Sequence, residues 1–147
     1  MPIAVVAADG QDLTDLVGQA YKIGYERLAG YLAGGMAAWL ATGRPQRTTA
    51  FVTAERTPPG RYLDVRQASE FAGGHVPGAL NVELGSLAEQ ATDLSGGLLV
   101  ACGHGERAIT AASVLERAGH TQLAVLDGGP AEYAAAHGLH LTGGDGC

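Results

Sequence analysis

The sequence predicts an α/β fold with a parallel sheet covered by helices on both faces, on three observations. Short apolar runs alternate with helix-period segments at close spacing. The run Leu98-Leu-Val-Ala101 is apolar at every position, as a strand buried on both faces must be. The 23 glycines fall at the breaks between these runs and follow no collagen period.

The elements follow in order. Residues 3–8 predict a strand. Asp12 or Thr14 can cap a helix running to about Ile23, with Leu13, Leu16, Val17 and Ala20 on one face. Gly24 ends it, 27–32 predict a second strand, and Gly34-Gly35 leads into a short helix over 36–41. Polar residues 44–50, after Gly43-Arg-Pro45, read as a linker. Ala50-Phe51-Val52 opens the second segment, where Pro58-Pro59-Gly60 leaves room for barely one helical turn. Then come a strand over 61–65, a short helix over 67–71 broken by Gly73-Gly74, a turn at His75-Val-Pro-Gly78, and a strand over 79–82. A helix over 86–93, the strand 98–101, a long helix over 106–118, a strand over 123–126 and a helix over 131–137 complete the chain. The expected organisation is a βαβα segment over 1–43, a linker over 44–50, a main domain over 51–142 and a mobile tail over 143–147.

The first segment repeats the last part of the second. Ile23-Gly24-Tyr25 corresponds to Ala118-Gly119-His120, Tyr31 to Gly35 correspond to Val125 to Gly129, and Trp39 falls where Tyr133 does. On this alignment Asp9 stands at the place of Cys102, so the earlier copy has no nucleophile. Two strands and two helices cannot build a two-sided core. Val5, Val6, Leu28, Leu32, Met36 and Trp39 are therefore expected to find cover on the main domain or in a homodimer.

Composition narrows the function. Apolar residues make up 46% and charged residues 16%, as in soluble globular proteins. No apolar run reaches the length of a membrane span and no basic-then-apolar leader opens the chain, so a cytoplasmic setting is expected. The formal charge of −6 resides in residues 48–147, which hold eleven acids and five bases. Such a domain suits neither nucleic acid nor an anionic membrane. Two cysteines, 102 and 147, give no disulfide framework, and His75, His104, His120, His137 and His140 supply no metal-ligand spacing. No cofactor is expected.

The chemistry centres on Cys102-Gly-His-Gly-Glu-Arg107. A buried strand ends at the cysteine and a helix begins near Arg107, which brings the N–H groups of 103–107 towards the sulfur at the positive end of the helix. Oriented amides stabilise negative charge, and the thiolate is the nucleophilic form of cysteine. A small buried cysteine with no reactivity is the plainer alternative.

This loop, with Leu63-Asp64-Val65-Arg66, Glu70-Phe71 and Gly74-His75-Val76-Pro77-Gly78-Ala79-Leu80-Asn81 upstream, resembles the rhodanese-like sulfurtransferases over about residues 48–142. The resemblance implies that Cys102 carries sulfane sulfur as a persulfide, from thiosulfate or a thiol persulfide to a thiol or cyanide. It implies a binding loop of Gly103, His104, Gly105, Glu106 and Arg107, with Asp64 holding neighbouring loops. Arg66 pairs with Asp64 or Glu70 or lines the crevice, and His75 fixes its own turn. Gly103 and Glu106 depart from the family pattern and make the rim less cationic, against a small dianion. Related phosphatases use Cys-x5-Arg, but position 108 is alanine. Residues 22–39 resemble a region of proteins that fuse a metallo-β-lactamase-fold hydrolase to rhodanese domains, which implies a metallo-hydrolase partner or fused domain. The alternative function is then a non-catalytic binding or regulatory module for such a hydrolase.

Overall fold

Leu63, Val100 and Val125, on three adjacent strands, face one apolar cluster. Tyr62, Leu99, Ala101, Ala124 and Leu126 face another on the opposite side. Strands apolar on both faces need helices on both faces, and the structure supplies them. The computed structural model describes residues 2–8 and 10–143. It divides into two units, Met1–Thr48 and Thr49–Cys147.

In the second unit, β3 (Ala50–Val52), β4 (Arg61–Asp64), β5 (Leu80–Asn81), β6 (Leu98–Ala101) and β7 (Leu123–Leu126) form one sheet. Its strand order is β3-β7-β6-β4-β5, and every pairing is parallel. On one face α4 (Leu87–Gln90), the turn after it and α5 (Glu106–Arg117) bury Leu87, Ala91, Ala108, Ala111, Ala112 and Leu115. On the other lie a 3-10 turn at Ala54–Arg56 and α6 (Pro130–Ala136), whose Tyr133 meets Tyr62 edge to face at 4.8 Å. The small residues of α5 let that helix sit close to the sheet. The expected α/β fold with helices on both faces is the one observed.

Most boundaries move by a residue or two, and the strand expected over 3–8 stops at Val5, the last residue paired with β2 (Leu28–Tyr31). Ala50, expected in the linker, begins β3, because Ala50 pairs with Ala124 on β7. The helix expected over 86–93 is α4 followed by a 3-10 turn at Ala91–Asp93. The helix expected over 67–71 is α3 (Ala68–Ala72), because Glu70 accepts from the Gln67 N–H and makes Gln67 the cap. His75 does not fix its own turn. Its Nδ1 bonds the Phe71 carbonyl at 2.9 Å, its ring stacks on Phe71, and its backbone pairs with Thr142. It ties α3 to the end of the described chain.

The first unit runs β1 (Ile3–Val5), α1 (Leu13–Lys22), β2 (Leu28–Tyr31) and α2 (Gly35–Ala41), with β1 and β2 parallel. Asp12, rather than Thr14, caps α1, accepting from the Thr14 and Asp15 N–H groups. Helices α1 and α5 end alike. After α1, Tyr25 N–H donates to the Ala20 carbonyl and Gly24 N–H to that of Tyr21. After α5, His120 and Gly119 donate in the same way to Leu115 and Glu116. A bulge in β2 pairs Ile3 with Leu28 but Ala4 with Gly30, which accounts for the one-residue shift between the copies. Asp9 lies outside the described residues, as do 144–147 of the expected tail. No described residue of this unit is buried; Val6, Tyr31 and Met36 are exposed.

Two substitutions test the second core. Leu115, with no exposed surface, should cost about 2–5 kcal/mol as Leu115→Ala in urea unfolding. The buried Tyr62 hydroxyl has no hydrogen-bond partner among the described residues. Tyr62→Phe should therefore be neutral or stabilising in the same assay, and a clear loss of stability would show that the hydroxyl has a partner.

Candidate active site

In a parallel sheet the C-terminal strand ends share one rim, and β4 and β6 lie side by side. Asp64 ends β4 opposite Ala101, so Asp64 and Cys102 reach the same rim. Asp64 is completely buried, a position that an unpaired carboxylate cannot hold cheaply. Arg66 pairs with it and not with Glu70. Arg66 Nη2 lies 2.7 Å from Oδ2, its Nε 3.0 Å from both oxygens, and its own N–H donates to Oδ1 at 3.0 Å. Hydrogen bonding to Asp64 holds the guanidinium above its usual pKa. Nη2 also donates to the Gly74 carbonyl at 2.8 Å, and Asn81 Nδ2 donates to the carbonyls of Asp64 and Arg66. Asp64 thus holds the neighbouring loops through Arg66 and one backbone N–H.

Cys102 is wholly buried between β6 and α5. Of the loop amides expected around the sulfur, one is in hydrogen-bond range: Gly105 N–H donates to Sγ at 3.1 Å. Gly105 has φ +104°, a conformation that glycine adopts without strain, and this turns its N–H towards the sulfur. Gly129 is needed for closeness: a Cβ there would lie 2.7 Å from the Gly103 carbonyl oxygen. The β7–α6 turn is thus packed against the loop backbone. His104 and Glu106 are exposed.

Arg107 opens α5 and turns across to α3. Its Nη1 and Nη2 grip Glu70 Oε2 and Oε1 at 2.7 and 3.0 Å, a fork that matches the carboxylate. Hydrogen bonding to Glu70 is the main reason why Arg107 titrates above its usual value, and Cys102 beside it adds to the effect. The same contact pulls Glu70 down to about 2. The cation therefore stands next to the sulfur with its charge partly answered. Glu70 and Asn81 were not among the site residues expected from the sequence, although both stood in the motifs that carry the resemblance.

The arrangement can stabilise negative charge on one buried sulfur, with one amide and one anchored guanidinium. Comparisons agree with the architecture. A family model described as "Rhodanese-like domain" matches residues 52–136. The chain is 31% identical over 85 residues to a thiosulfate sulfurtransferase GlpE of Pseudomonas fluorescens, covering 56% of this chain and 78% of that one. It is 36% identical over 78 residues to its namesake from Stutzerimonas stutzeri, covering 52% and 72%. Among solved structures, the rhodanese-like domain of the Alr3790 protein from Anabaena sp. superposes with a TM-score of 0.51. It is 26% identical and covers 74% of each chain. Among the described residues no helix is long and apolar enough to cross a membrane.

Two measurements check the two ion pairs. Arg66→Met leaves the buried Asp64 charge alone and should cost about 3–5 kcal/mol in urea unfolding. The Arg107–Glu70 pair is more than a third exposed on both sides, so solvent screening limits it to about 1 kcal/mol. Glu70 is depressed on folding, so its contribution is present above the unfolded carboxylate range and lost as pH falls through about 2. The stability gap between wild type and Glu70→Gln should be constant above about pH 5 and shrink from about pH 4 downwards. A gap that grows on acidification would contradict the pairing.

Proposed function

The chain belongs to the rhodanese-like family, and from that premise we propose that it is a sulfurtransferase that carries sulfane sulfur on Cys102. The observation that supports this reading best is the Gly105 N–H held 3.1 Å from Sγ, with Arg107 beside the thiol. The Cys102 thiolate attacks the outer sulfur of a donor, either thiosulfate or a thiol persulfide. The donor's S–S bond breaks, and sulfite or thiolate leaves with the electron pair. A new S–S bond forms on Cys102, giving a persulfide. An acceptor nucleophile, cyanide or a thiol, then attacks the terminal sulfur and the Cys102 thiolate departs. Electrons balance without a redox cofactor, and the loop's task is to hold negative charge on sulfur in both halves.

Arg107 acts here as a positioned charge beside the sulfur, and Glu70 keeps it there. Asp64 and Arg66 hold the adjoining loops from the next strand. With Arg107 gripped by Glu70 and Glu106 on the rim, a thiol persulfide suits the loop better than a dianion.

A second reading keeps the fold as a binding or regulatory module for a metallo-hydrolase, without turnover. The complete burial of Cys102 favours it.

Treatment with thiosulfate or glutathione persulfide should add the mass of one sulfur atom to the Cys102 peptide. Cyanide should remove it as thiocyanate, with turnover abolished in Cys102→Ser. No added sulfur from either donor, or sulfur on Cys147 alone, would leave the binding module as the surviving reading.

A further inference from the structure

Phe51 belongs to the edge strand β3, just outside the stretch matched by the family model, and 52% of it is exposed. An edge strand of three residues gains little from an aromatic ring left half in water. The inner side of that ring nevertheless meets a particular atom of the loop. A Cβ built on Gly105 would lie 3.2 Å from Phe51 Cζ and 3.4 Å from Cε2, so the ring fills the space beside the Gly105 Cα.

Gly105 is the residue whose N–H faces Sγ, and at φ +104° a glycine keeps a freedom of backbone conformation that a residue with a side chain would not. Two contacts pin it from within its own segment: the N–H on Cys102 Sγ, and its carbonyl, which accepts from the Ile109 N–H at 2.9 Å. The Phe51 ring supplies the third, from another strand. The strand is itself fixed against β7 by its pairing, and the Thr49 hydroxyl donates to Glu116 on α5. We propose that Phe51 is a positioning residue for the sulfur site: its ring holds the Gly105 backbone in the conformation that points the amide at Cys102, and so favours the charged thiolate.

This inference rests on Cys102 being the reacting thiol, but not on what it reacts with, so its test uses alkylation and not sulfur transfer. In a Cys147→Ser background, the rate of Cys102 alkylation by iodoacetamide is followed at pH 7 and pH 9.5. The ratio of the two rates cancels any change in access to the buried sulfur. It reports only how far the loop favours thiolate at neutral pH. Phe51→Leu keeps apolar bulk on the strand edge but withdraws Cζ from Gly105, and Phe51→Tyr keeps the ring. The Leu variant should lower the pH 7 to pH 9.5 ratio by about tenfold, the order of one lost hydrogen bond to a charged acceptor. The Tyr variant should match wild type within about twofold. Thermal unfolding of each variant is read alongside. If Phe51→Leu lowers the melting temperature yet keeps the wild-type ratio, the ring only packs and the proposal is overturned. It is equally overturned if Tyr falls as far as Leu. A tenfold fall in the ratio with sulfur loading absent from wild type would retain the positioning role and reject the sulfurtransferase reading.

Discussion

A carboxylate without solvent contact is the constraint around which the rim of the sheet is arranged. Asp64 sits at zero exposure at the end of β4, and such a charge must be met from close range. Arg66 meets it with three side-chain contacts and a backbone N–H, then passes on to the Gly74 carbonyl. Asn81 closes the gap from β5 by bonding the carbonyls on both sides of Val65. The three loops that leave β4, α3 and β5 are thereby drawn together beside the loop that holds Cys102. A hydrophobic residue at 64 could fill the same volume but could not fix these segments relative to one another.

How much of this was legible in the sequence depended on how local the cause was. The strands announced themselves through apolar runs, and β7 matches its expected span to the residue because both ends are marked by polar or glycine neighbours. Helix ends were less legible. Gln67 caps α3 because Glu70 reaches back to it, and the four-residue α4 gives way to a 3-10 turn, which periodicity over so short a stretch cannot distinguish. In the site, Cys102 and Arg107 were visible from loop chemistry and resemblance. Their partners were less so. Glu70 is 37 residues from Arg107 and Phe51 is 54 from Gly105, and proximity across a sheet leaves no mark in spacing. His75 was assigned to its own turn because local bonds are the default for such a residue. The Phe71 carbonyl and the Phe71 ring offered a better pair of contacts one turn back.

The two copies of the βαβα motif show how little such a motif decides alone. Both pair their strands in parallel, and both end their first helix with the same two backbone hydrogen bonds. In the second unit β6 and β7 are flanked by β4 and β3, and their residues disappear into the core. In the first, β1 and β2 have only each other, and no described residue reaches full burial. The two segments thus share an element order and helix endings but reach unequal depth. Burial here is a property of neighbouring strands rather than of the motif.

Complete enclosure of Cys102 carries a consequence for time rather than for energy. A buried sulfur meets a reagent in solution only during excursions that open its loop, so the population of the opened state scales every encounter. Between excursions, whatever the sulfur carries is sequestered from stray thiols and oxidants. A fully exposed cysteine on the same loop would meet its partners sooner. On the sulfur-carrier reading, the closed loop exchanges speed of capture for length of retention, and the residues packed on Gly105 and Gly129 set the terms of that exchange.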